Sequence, residues 1–96
     1  MSSEKVFRLL RKVPKGRVTT YKALAERAGT SPRAVGRAMA RNRHPDAVPC
    51  FKVVRSDGSL GGYSGPGGVR EKIRRLEREG IEVKKGKIEE RYFFFG

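Results

Sequence analysis

Among the 96 residues there is one cysteine, one histidine, one asparagine, no glutamine and no tryptophan. A single thiol cannot close an internal disulfide, and with a single imidazole it cannot build a structural zinc site. No metal and no cofactor are therefore expected, and a lone thiol fits a reducing, cytoplasmic setting best. No apolar run approaches the ~18 residues of a membrane-spanning helix, and no signal-peptide pattern opens the chain. Acids are scarce as well: 10 Asp and Glu stand against 23 Lys and Arg, a net charge of +13. So one-sided an excess points to a polyanionic partner, with nucleic acid the first choice and an anionic membrane surface the second. The shortage of Asn and Gln beside abundant Arg, Lys and Glu is the bias of proteins from hot environments.

What remains is enough for one domain, 1–96, with one modest core. Val6, Leu9, Leu10 and Val13 fall at helical spacing, which predicts an amphipathic helix over Ser3–Lys12 that ends before Pro14. Thr20 is placed to cap a second helix, Tyr21–Arg27, and Gly29 to end it. Ser31 before Pro32 is a strong start signal for a third helix, running to about Arg41 with Val35, Ala38 and Met39 inward. Two short helices joined by Gly29-Thr30-Ser31 make a helix-turn-helix over about 20–41. A strand is expected over Lys52–Arg55, turning at Ser56-Asp57-Gly58. Val69, Ile73 and Leu76 mark a last helix closed by Gly80. In the tail, 81–96, Ile81–Val83 and Ile88–Glu90 can pair around Lys84-Lys85-Gly86-Lys87, though the turn lacks Asn-Gly. Tyr92-Phe93-Phe94-Phe95 is too apolar to stand in water and is expected to pack on the domain's own core, the alternative being a contact surface for another protein. The fold class is mostly α with a short β element, a single winged-helix-like helix-turn-helix domain.

The chemistry concentrates in the Pro-Cys loop, 48–54. Val48-Pro49-Cys50-Phe51-Lys52-Val53-Val54 sets the only thiol after a proline and before a β-branched run, seventeen residues beyond Arg33. Gly61-Gly62-Tyr63-Ser64-Gly65 follows at a distance suited to folding back over it. In order and spacing, from about Val13 to Val83, the chain resembles the carboxy-terminal DNA-binding domain of the O6-alkylguanine-DNA alkyltransferases and their alkyltransferase-like relatives. The resemblance implies a DNA repair protein that flips a damaged guanine out of duplex DNA into a pocket. It implies that Arg33 fills the vacated stack, Tyr21 turns the phosphate, and Asn42 ties the helix to the thiol loop. It also implies that the third helix lies along the minor groove, with Arg37 and Arg41 adding phosphate contacts. The lesion pocket would comprise Pro49, Phe51, Val53, Tyr63 and Ser64, with the backbones around Cys50 and Val53 holding the base edge. Singly, these residues have plainer readings: Tyr21 as core, Asn42 as a helix C-cap, Glu79 as a solvated helix acid.

Where the acting enzymes read Pro-Cys-His-Arg, this chain has Phe51 and Lys52. The family's His takes the thiol proton through water and is steadied by a glutamate, here Glu79. Phenylalanine cannot accept a proton, so Glu79 is expected to lose its partner and alkyl transfer to Cys50 to be slow or absent. General-base help is worth ~10²–10⁴ in rate, which Phe51→His would be expected to restore. A cation beside the thiol, Lys52 or Arg33, would favour the thiolate in its place, whereas His44 reads as a loop residue. Three functions follow: a lesion-binding protein that hands damage to repair partners, a suicidal methyltransferase using Cys50, and a plain helix-turn-helix DNA binder. A monomer is expected.

Overall fold

The structure is a computed structural model and describes residues 3–44, 47–63 and 67–94. Four helices carry the fold: α1 Ser3–Arg11, α2 Tyr21–Ala28, α3 Pro32–Ala40 and α4 Gly68–Arg78. Between them lie two dipeptide strands, β1 Thr19–Thr20 and β2 Val53–Val54, and single 3₁₀ turns at Cys50–Lys52 and Glu90–Tyr92.

Helix boundaries follow side-chain chemistry. The Thr20 Oγ1 accepts from Ala23 N at 3.0 Å and the Ser31 Oγ from Ala34 N at 3.1 Å. Each thereby satisfies an otherwise orphaned donor of the first turn. Gly29 ends α2 in the left-handed region, φ 72°. There Thr30 N bonds Ala25 O at 2.8 Å and Gly29 N bonds Glu26 O at 3.4 Å, a Schellman closure. Gly80 repeats the device after α4: Ile81 N reaches Leu76 O and Gly80 N reaches Glu77 O. The apolar contact that accompanies such a cap is supplied by Ile81 and Leu76, both buried in one cluster.

The core has two parts. Val6, Leu10 and Val13 join Leu24, Ala25, Ala28, Val35, Ala38 and Met39 between the first three helices, with Val48, Cys50 and Val53 closing that cluster. Fully burying a Val or Leu side chain contributes about 1.5–3 kcal/mol, so Val6 and Leu10 are the main anchors of α1, with Phe7 and Leu9 packed beside them. The second cluster gathers Val18, Phe51, Val54, Leu60, Leu76, Ile81 and Ile88 under α4. Cys50 and Phe51, neighbours in sequence, thus enter different clusters.

Three expectations need correction. The strand is shorter than Lys52–Arg55, because Val53 N bonds Cys50 O and keeps Lys52 in the 3₁₀ turn. Its partner is parallel, with Thr19 opposite Val53 and Thr20 opposite Val54. In α4 Lys72 joins Leu76 as an inward residue with no exposed surface, while Val69 is 42% exposed. The tail forms only the tip of its hairpin. Lys84 and Lys87 exchange both backbone bonds at 2.9 Å around Lys85 and Gly86, whose φ angles of 53° and 75° suit a two-residue turn. Beyond it the chain leaves Ile81–Val83 and pairs with the 58–59 turn instead: Lys87 bridges Ser59, and Ile88 N bonds Gly58 O at 2.8 Å.

The aromatic tail packs on its own domain as far as Phe94, Phe95 lying outside the described residues. Val18 N bonds Tyr92 O at 2.8 Å and Phe94 N bonds Val18 O at 2.7 Å. Gly58 is indispensable to this arrangement. It sits at φ 87°, and a Cβ there would collide with the Ile88 carbonyl oxygen. Gly58→Ala is therefore expected to destabilise the domain by about 2–4 kcal/mol, read as a fall in Tm of roughly 10 °C or more. An unchanged Tm would mean that the tail is not anchored there.

Candidate nucleic-acid interface and thiol site

The parallel pairing of β1 with β2 decides what meets what. It sets the first residue of α2, Tyr21, beside the segment that leaves the thiol turn. Between α3 and the chain after β2 opens a cleft of about 490 Å³, walled by Tyr21, Gly36, Met39, Arg55, Gly62 and Tyr63 among others. Tyr21 is only part-exposed, and burial raises its phenol above the ordinary 10.0, with Arg55 pulling the other way and Cys50 adding to the rise. The phenol is therefore a neutral O–H at physiological pH. Gly61 lies at φ 71°, and a Cβ there would stand 3.3 Å from Tyr21 Oη and 3.8 Å from Arg55 Nε. Both groups thus border the bare face of Gly61 at the cleft wall.

Arg33, Arg37 and Arg41 recur every four residues along α3 and its C-cap, all exposed, so they share one face. Charge is uneven along the chain: 14 of the 23 Lys and Arg but only four of the ten acids precede residue 64. The basic excess therefore belongs to the half built by α1, α2 and α3.

Cys50 is 7% exposed and lies in the core cluster behind the cleft. Asn42 Nδ2 donates to Val48 O at 2.9 Å, fastening the end of α3 to the segment before the thiol, and its Oδ1 accepts from His44 N at 3.0 Å. Pro49 opens the 3₁₀ turn. His44 is exposed and lies off the thiol cluster. Ser64 lies outside the described residues. The backbone of Val53 is engaged: its N–H bonds Cys50 O and its carbonyl accepts from Lys72.

Phe51 packs in the second cluster, 8% exposed. Glu79 is not left without a partner, as the sequence suggested. Its Oε1 lies 2.9 Å from Lys52 Nζ and accepts from Gly16 N at 3.0 Å. Lys52, 4% exposed, also donates to Pro14 O at 3.1 Å and Val13 O at 3.4 Å. Of the two cations the sequence offered beside the thiol, Lys52 has its ammonium engaged elsewhere, bracing the α1–β1 connection against the end of α4. A relay through Glu79 is likewise not assembled around position 51.

A second buried cation, which the sequence reading passed over, is Lys72. Its Nζ donates to Val53 O at 2.8 Å, to Gly62 O at 3.2 Å and to Leu60 O. Burial lowers its pKa from 10.5 to about 8, with Cys50 acting to raise it and Arg55 to lower it further. The signal was available: Lys72 stands four residues before Leu76, on the apolar stripe of α4, where a solvated lysine is out of place. Among the described residues no group of three or more His, Cys, Asp or Glu can hold a metal ion, and no helix is long and apolar enough to cross a membrane.

Residues 1–81 match the family model of the 6-O-methylguanine DNA methyltransferase DNA-binding domain. The chain is 57% identical over 68 residues to a methylated-DNA–protein-cysteine methyltransferase of Pyrobaculum aerophilum, covering 71% of this chain and 45% of that protein. It is 48% identical over 92 residues to a bifunctional methyltransferase/endonuclease of Picrophilus torridus, covering 93% and 30%. The chain thus spans half or less of these curated relatives. The fold is similar to that of S. pombe Atl1 in complex with damaged DNA containing O6-carboxymethylguanine, with TM-score 0.86, 28% identity, and 96% and 93% of the two chains covered. It is also similar to the O6-methylguanine-DNA methyltransferase of the hyperthermophilic archaeon Pyrococcus kodakaraensis, with TM-score 0.74, 48% identity, and 82% and 46% covered.

Lys72 generates a pH prediction. Above about pH 8 the folded protein releases its proton, while the unfolded chain holds it to about 10.4. The unfolded state then binds more protons, so this group's contribution to stability rises with pH across that window. Between pH 7 and 10, wild type should gain stability relative to Lys72→Met by up to a few kcal/mol, measured by urea unfolding of both proteins. Parallel pH responses would remove Lys72 from the account.

Proposed function

The chain belongs to the 6-O-methylguanine DNA methyltransferase DNA-binding-domain family, and on that premise we propose that it binds duplex DNA, extrudes O6-alkylguanine-type bases and retains them in the cleft beside Tyr21. The observation that carries this reading is the cleft itself. It opens between the helix bearing Arg33 and the segment bearing Tyr63, with Tyr21 on its wall and the thiol behind it. In this reading α3 lies along the minor groove, Arg33 enters the stack in place of the extruded base, and Tyr21 crowds the phosphate. Arg37 and Arg41 neutralise phosphates without reading sequence. Asn42 holds the thiol loop to α3, and Tyr63 with Ser64 covers the base. The protein acts as an intracellular monomer that passes lesions to repair partners, and its composition suits a hot source.

Slow or absent alkyl transfer is supported by Phe51, which offers no base, and by Glu79, whose carboxylate is committed to Lys52. A second reading, suicidal methyl transfer, has one observation in its favour: Cys50 is retained in a cluster against which Tyr21 and Tyr63 pack. In that step the thiolate sulfur bonds the methyl carbon, the carbon–O6 bond breaks with its electron pair on oxygen, and protonation restores guanine. A plain helix-turn-helix binder accounts for the charge but not for the cleft.

Two experiments divide these readings. Affinity for undamaged duplex should fall steeply with salt, and Arg33→Ala or Tyr21→Ala should reduce preference for O6-methylguanine over guanine more than overall affinity. A 2-aminopurine probe at the target reports extrusion, and equal fluorescence from wild type and Arg33→Ala would remove Arg33 from the stack. In single-turnover transfer followed by intact mass, wild type should gain a methyl group slowly or not at all, and Cys50→Ser never. Phe51→His should not accelerate it, because the ring's site is apolar and Glu79 is engaged, and it should cost about 1–3 kcal/mol of stability. Rapid transfer by Phe51→His would show that the relay can still assemble.

A further inference from the structure

Arg55 is the first residue after β2, and its exposed side chain lines the cleft. Among the described residues no carboxylate lies within ion-pair distance of its guanidinium; the recorded pairs of Glu71, Glu79, Glu82 and Glu89 go to other cations. Its Nε and the Tyr21 Oη converge over the bare face of Gly61. Behind it the buried ammonium of Lys72 is satisfied by three carbonyls and no acid. The remaining wall is uncharged: Met39, Gly36, Gly62 and the two tyrosines. The cleft is therefore a site with a positive field and one free donor fork.

We propose that Arg55 makes the cleft selective for guanines whose O6 substituent ends in a negative charge, the guanidinium pairing with a carboxylate on that substituent. This rests on the cleft being the lesion pocket. A methyl or ethyl group offers the guanidinium nothing, so the fork stays solvated and neutral lesions are held by shape and stacking alone. A carboxylate-terminated substituent is different. It lies within a strand that is already anionic, and a preplaced cation offsets that repulsion while donating two parallel N–H···O bonds to the carboxylate. Lysine at this position would supply charge without the planar fork and should retain only part of the selectivity.

The test uses the whole chain and four duplexes of one sequence, carrying guanine, O6-methylguanine, O6-carboxymethylguanine or its neutral amide, O6-carbamoylmethylguanine. Wild type should bind the carboxylate duplex about tenfold or more tightly than the amide duplex, the scale of one charge-assisted interaction. Arg55→Gln should bring that ratio near one while preserving the preference for O6-methylguanine over guanine, and Arg55→Lys should fall between. Tm confirms that each variant is folded, as expected for an exposed side chain. If Arg55→Gln weakens all four duplexes equally, Arg55 is a phosphate contact and the inference is overturned, although the pocket reading survives. If wild type binds carboxylate and amide alike, the inference is likewise overturned. If no lesion is preferred to guanine, the pocket reading itself has failed.

Discussion

A buried ammonium group must find its solvation shell inside the protein, and this small domain buries two. Lys72 gathers the carbonyls of Val53, Leu60 and Gly62, and Lys52 gathers Glu79 with the carbonyls of Val13 and Pro14. Each stranded charge would cost several kcal/mol, so the segments supplying these oxygens are not free to wander. Between them the two lysines fix the strand after the thiol, the wall of the cleft, the α1–β1 connection and the end of α4. Sheet structure is too slight to do this, since it consists of two paired dipeptides. Irregular chain has been given fixed positions by cations, much as a metal ion would fix it.

Much of this was legible in the sequence, and the parts that were legible share a cause. The capping residues Thr20 and Ser31 and the closing glycines Gly29 and Gly80 act locally, through bonds that span three to five positions, so composition and order suffice to read them. Apolar spacing in α1 and α3 likewise gave the inward faces. The lysines resisted the same treatment because a lysine is ordinarily solvated. Only tertiary structure assembles the carbonyls that make Lys72 an inward residue, and only it turns Glu79 from a relay acid into a brace. The parallel register of β1 with β2, and the tail's preference for the 58–59 turn over its own hairpin partner, are similarly non-local. At the candidate site the identities of Tyr21 and Tyr63 were readable, but Arg55 was not, because only the fold brings it with Tyr21 to the face of Gly61.

The division between Cys50 and Phe51 bears on how the site is to be understood. A 3₁₀ turn sends one side chain into each cluster, so the thiol and the ring beside it do not share surroundings. The position after the thiol is consequently a packing position in this protein, filled by an aromatic ring and enclosed by Val18, Val54 and Leu60. The sulfur instead shares its cluster with Val48 and Met39, and with the part-buried Tyr21 packed against it.

The uneven distribution of charge has a consequence for the first encounter with a polyanion. Because most of the positive excess lies on the half built by α1, α2 and α3, the molecule carries a net dipole as well as a net charge. In the field of a duplex such a body experiences a torque and turns its arginine face inward before any atom touches. The field reaches about a Debye length, near 8 Å at physiological ionic strength, so the reorientation happens within the last water layers and raises the fraction of collisions that arrive the right way round.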